Sequence, residues 1–314
     1  MVVSWLDLIT PINLLAERDK FFVSSNYNPV FKYNWSTSRL SGFNSSNSNF
    51  GELIKTILTG ETSQIIENSK EIFSVDVEET TLAIAKQIVS ARTPLVNSQT
   101  LDQFVSAMAI AIKKLDLGYN IKVQDRAGFN VRPSHSAKTV AISKYINLHF
   151  FDIDGLVKHE ISHVIRNVNH EQNQLTILPT AVATGEGLAA YMQDYYGNNG
   201  EGSLYQHAAE YAATEIGLKG SLRDIYDFFM ELGFSKELAW QRSVRHKFGF
   251  TDTKKPGDIM KPAMYFYHEQ KIKALTDDER WRLFMGKIRI EELKDYPEYK
   301  GIVPLLKLKE FYQH

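Results

Sequence analysis

The 314-residue chain has no cysteine, which excludes a disulfide framework, a thiolate metal site and a cysteine nucleophile. It also lacks an excess of either charge: 36 Lys and Arg against 37 Asp and Glu leave a formal charge of -1. No global field is available to gather nucleic acid or an anionic membrane, so neither is expected as a partner. No apolar run approaches the roughly 18 residues that a bilayer span requires. The first ten residues have no basic stretch, and Asp7 interrupts their apolar run, so they do not read as a signal peptide. Internal repeats are absent too. A cytoplasmic, soluble protein is expected, with 43% hydrophobic and 23% charged residues, enough apolar content for a sizeable core.

What is present is one complete H-E-x-x-H, His159-Glu160-Ile161-Ser162-His163. Residues four apart on an α-helix lie about 40° apart around its axis, so both histidines can reach one ion. Leu156, Val157, Ile161, Val164 and Ile165 supply an apolar stripe, and Asp152 or Asp154 is placed to cap the helix start. A third ligand is needed, and Glu186 in Gly185-Glu186-Gly187 is the candidate. Two imidazoles and a carboxylate suit one Zn2+ with an open position, the catalytic arrangement. Glu160 is then placed to take a proton from an activated water. The plain alternative is an amphipathic helix whose histidines are solvated or hydrogen-bonded.

Before the motif, residues 50–115 carry helical periodicity, and one predicted face collects Phe104, Ala107, Met108, Ile110, Ala111 and Leu115. Alternation predicts strands over 119–124, 139–143 and 145–149. Residues 42–49, rich in Ser and Asn, read as a surface loop. The aromatic segment from Tyr27 to Tyr33 is expected to be extended and to pack its rings on the main body. After the motif come a connector over 175–179 and helices over 181–196, 203–218, 221–232, 235–246, 261–274 and 277–285. The expected fold class is α+β, predominantly helical, with a small sheet preceding the motif helix.

Ordered blocks along nearly the whole chain resemble the tyrosine carboxypeptidase family that includes the microtubule-associated tyrosine carboxypeptidases. They are Pro11, Asn13, Leu14, Glu17, Lys20 and Phe21; then Tyr27-Asn28-Pro29 and Phe31. The central block holds His159-Glu160-Ile161, His163, Arg166, Val168-Asn169 and Glu186-Gly187-Leu188-Ala189. Toward the end stand Val244-Arg245, Lys247, Gly249, Asp252-Thr253, Pro256-Gly257, Lys261, Tyr265 and Gly286-Lys287-Ile288. The resemblance implies a zincin-like metallopeptidase that removes a C-terminal residue, with His159, His163 and Glu186 as ligands and Glu160 as catalytic carboxylate. A protein or peptide tail, tubulin-like among the possibilities and ending in tyrosine or another aromatic, is the implied partner. Residues 1–48 are then an extension packed on a catalytic domain of 49–314. The family pattern spaces its histidines by five, whereas this chain spaces them by four, so no turn of the helix needs loosening here.

A carboxypeptidase must hold a free α-carboxylate, for which Arg is the best fork and Lys a point-charge substitute. Arg245 and Lys247, helped by Lys261, are the expected clamp, with a solvated basic face as the alternative. Arg166 is expected to reach the substrate or support a ligand, with pairing to a nearby acid as the plain alternative. Tyr265 is a candidate donor to the developing oxyanion, or a packed core tyrosine. Two further readings are a zinc endopeptidase and an inactive metal-binding protein of the same fold.

Overall fold

The computed structural model describes residues 5–43, 48–91, 99–125, 130–134, 136–146, 148, 152–176 and 181–313. The chain divides into two compact units: Met1–Thr93 with His207–Met264, and Pro94–Gln206 with Tyr265–His314. Neither border falls at the expected 48/49 division. Helices dominate both units, and among the described residues no helix is long and apolar enough to cross a membrane.

In the first unit the N-terminal segment is part of the core. Phe21, in the helix Leu14–Val23, meets Tyr226 edge-on at 4.9 Å and Trp240 at 5.0 Å. Phe31 is buried, and its N–H donates to the Thr251 carbonyl at 2.8 Å. The Tyr33 hydroxyl donates to the Phe250 carbonyl at 2.9 Å. The aromatic segment is thus extended and ring-packed as its sequence predicts, because each ring removes apolar area from water while its polar groups find carbonyl or carboxylate partners.

The second unit holds the only sheet among the described residues, in the order β1-β3-β2. β1 is Asn120–Gln124, β2 Val131–Ser134 and β3 Thr139–Ser143. β1 runs parallel to β3, Ile121 opposite Val140, and β2 runs antiparallel to it, Arg132 opposite Ala141. The central β3 buries Val140 and Ile142 completely, as a strand covered on both edges should. Pro133 sits in an edge strand, where its missing N–H costs no ladder bond. The strand expected over 145–149 does not form: Tyr145 lies in a turn, Ile146 outside any strand, and 147 and 149 lie outside the described residues. β2, short and interrupted by proline, takes the third place.

The helix Ile153–Gln172 carries the motif, and Ala181–Tyr196 carries Glu186. Asp152 is the cap: its Oδ2 accepts from the Gly155 N–H at 3.0 Å, while Asp154 pairs with the Lys158 ammonium at 3.0 Å. Ile161, Val164 and Ile165 share a core with Phe104 and Met108 of the helix Leu101–Leu115 and with β3. Each such side chain contributes about 1.5–3 kcal/mol by leaving water. Ile110 does not join them; it is 64% exposed, on the side of its helix away from Met108 and Ala111. The loop over 44–47 and the connector residues 177–179 lie outside the described residues.

Candidate metal centre

The motif helix is almost wholly enclosed. From Gly155 through His170, His163 alone is not fully buried. The same holds for Glu186 between Ala183 and Asp194, and for Tyr265 between Met264 and Glu269. Along each of these three stretches one polar residue opens where its neighbours in sequence are buried.

The motif helix remains regular α-helix throughout, so the four-residue spacing brings the histidines together without distortion. Nε2 of His159 lies 3.4 Å from Nε2 of His163. Oε2 of Glu186 is 3.7 Å from the first and 3.4 Å from the second. A circle through these three atoms has a radius of about 2.0 Å, the length of a bond from zinc to imidazole or carboxylate. The group can hold one metal ion, with protein donors on three sides. Among the described residues Nδ1 of His159 has no hydrogen-bond partner, so the polar contacts of that buried ring are those of Nε2 with the other two donors.

Electrostatics agree with this assignment. Burial works to raise the Glu186 carboxyl, but the charge of His163 and then hydrogen bonds with His159 and His163 outweigh it and hold it well below the ordinary carboxylate range. Glu160 is displaced the other way. Burial pushes its carboxyl up to about 7, with His159 lowering it and Glu186 raising it. Such a group can exchange a proton near neutrality. The Tyr265 ring lies 6.4 Å from the His159 ring, centroid to centroid.

Two glycines let the carboxylate come this close. A Cβ on Gly187 would stand 2.7 Å from the backbone carbon of His268, and one on Gly185 would collide with Nη1 of Arg166. A residue larger than glycine at either position would push Glu186 away from the histidines.

Two of the expected substrate contacts are corrected. Lys247 is fully buried, and its ammonium donates to the carbonyls of Gly217, Gly220, Lys255 and Gly257 at 2.6–3.1 Å. It ties the end of the helix Gly200–Lys219 to the loop at 255–257 and offers nothing to a substrate. Arg166 is 3% exposed, its Nε donating to the Leu283 and Gly286 carbonyls and its Nη2 to that of Ile288. Both sequences read as basic, but composition does not tell a solvated cation from one folded inward.

Arg245 belongs to a buried charge cluster in the first unit, where Nη1 meets Glu210 at 3.2 Å; its side chain stays 35% exposed. Arg242 joins Glu210 at 2.6 Å, and His246 lies between Glu210 at 2.9 Å and Asp258 at 2.7 Å. Lys261 is half-buried in that unit. A cation not singled out beforehand, Lys287, belongs to the unit of the triad and is half-buried. Burial and then the charge of Arg166 push its ammonium down, and among the described residues no carboxylate lies within ion-pair distance of it. The signal available was its place in the block Gly286-Lys287-Ile288.

No protein-family model and no curated protein matches the chain.

Proposed function

We propose that the protein is a zinc-dependent metallocarboxypeptidase that removes a C-terminal residue, aromatic by preference, from a protein or peptide tail. The observation that carries this reading is the triangle of His159, His163 and Glu186, sized for one ion, with Glu160 in the adjoining position of the same helix. Zinc held there supplies Lewis acidity, which activates a water and polarises the scissile carbonyl. Glu160 takes the proton of the attacking water and delivers it to the leaving amine; its raised affinity for protons suits both halves of that exchange. Tyr265 offers a hydroxyl toward the developing oxyanion. Burial of the residues flanking His163 and Glu186 in sequence limits solvent in the site, which strengthens each of these interactions. For the α-carboxylate of the tail, Lys287, in the same unit as the triad, offers its ammonium. The resemblance to the tyrosine carboxypeptidases supports the choice of exopeptidase and of an aromatic terminal residue, a tubulin-like tail among the candidates.

The test is to incubate zinc-loaded protein with peptides ending in Tyr, in Phe and in an amidated residue, following mass loss, with Glu160→Gln as control. Loss of one terminal residue, blocked by amidation and by the substitution, is the expected result. Internal cleavage would assign an endopeptidase, and zinc uptake without cleavage of any peptide an inactive metal-binding protein.

A further inference from the structure

Arg166 stands three residues after His163 and seven after His159, so it continues the stripe of the motif helix that bears the imidazoles. Its guanidinium is buried, and among the described residues no carboxylate lies within ion-pair distance. Three backbone carbonyls, of Leu283, Gly286 and Ile288, fix its Nε and Nη2. The remaining terminal nitrogen, Nη1, fills the space directly over Gly185, where a methyl group would collide with it. Those carbonyl bonds make the arginine head a rigid obstacle where a solvated one would swing aside. The acid whose charge bears on it is Glu186, next in sequence to the glycine it covers.

We propose that Arg166 is the positioning residue of the third metal donor: pinned by the 283–288 segment, it packs on Gly185 and, by contact and by charge, keeps the Glu186 carboxylate aimed at the two imidazoles. The inference rests on reading His159, His163 and Glu186 as a metal site. It gives the chain a reason to keep a costly buried cation with no acid in direct contact. It also explains why glycine precedes the ligand: only glycine leaves room for a nitrogen of the arginine there.

The experiment uses the full chain and measures zinc affinity by competition with a chromophoric chelator, the visible spectrum of the Co2+ form, and melting of the chelator-treated protein. In R166M, zinc binding is expected to weaken 10–100-fold, as when groups orienting a ligand are removed, with an altered Co2+ spectrum; R166K recovers part of the loss. G185A tests the same contact from the other side. Alanine favours helix over glycine by about 1 kcal/mol, which offsets part of the cost of displacing the guanidinium, so the metal-free protein should melt only slightly lower, while zinc affinity falls in the same direction as in R166M. If R166M does not fold, G185A decides. A role confined to supporting the fold predicts the opposite split, a lower melting temperature without metal and zinc affinity within twofold of the unsubstituted chain; that result overturns the proposal. Failure of the unsubstituted chain itself to take up zinc or Co2+ sinks the metal reading, a separate outcome.

Discussion

Nε2 of His163 stands 3.4 Å from Oε2 of Glu186, and each is the partly exposed residue of a helical stretch whose other members are buried. An ion reaching the triad therefore arrives on their side, with His159 behind. Zinc at a hundredfold excess over its dissociation constant should stabilise the fold by about 2.7 kcal/mol. Calorimetry with and without chelator measures this, and His163→Ala or Glu186→Ala should abolish the difference.

Glu160→Gln keeps size and burial but removes the exchangeable proton. Zinc affinity should stay within a few-fold of the original while turnover falls about 10²–10⁴-fold, the usual contribution of a positioned acid or base. Parallel metal titration and peptide cleavage separate the two effects; a variant that cleaves normally would remove Glu160 from the mechanism.

Lys287 and Lys247 should separate cleanly. Lys287→Ala is expected to raise KM for peptides with a free C-terminus about tenfold, with little change in melting, if its ammonium meets the terminal carboxylate. Lys247→Met leaves four carbonyls, two of them in buried bonds, short of their donor and should cost about 3 kcal/mol of stability, read by denaturant unfolding.

The pH dependence of stability has a defined sign at His246. Burial works to lower its imidazolium, but Asp258 and Glu210 outweigh burial and push it up to about 9. A base whose folded pKa lies above its unfolded value near 6.5 stabilises fully below pH 6.5 and loses that contribution as pH climbs through 9. Melting temperature should fall across that window, and the fall should flatten in His246→Gln. Lys247, pushed down to about 8 mainly by burial, acts oppositely between about pH 8 and 10.5 and is common to both proteins.

Gly187→Ala should cost about 1–3 kcal/mol, the usual result of overpacking, because the neighbour it meets is the His268 backbone, which cannot rotate away. Loss of zinc affinity should accompany it.

Local chemistry carried much of the organisation into view beforehand. The spacing of His159 and His163, the apolar stripe around them and the slim Gly185-Glu186-Gly187 step each express a short-range rule, and their geometry follows it. Asp152 as cap was one of two legible choices. The strand Val131–Ser134 was not legible, since four residues with an internal proline alternate too little to stand out. The inward fate of Lys247 and Arg166 was hidden for another reason: both are fixed by backbone carbonyls supplied from distant or loop segments, and carbonyls leave no trace in side-chain pattern. Ile110 was placed on the wrong side because a run of small and apolar residues fits two helical faces.

An unbroken helical turn beneath His159 and His163 also bears on how the site is loaded. The main chain there is regular α-helix, so seating an ion between the two rings asks only for rotation about side-chain bonds. Amide hydrogens of that turn should exchange at the same slow rate whether chelator is present or not, and occupancy can follow the surrounding supply of metal without a refolding step.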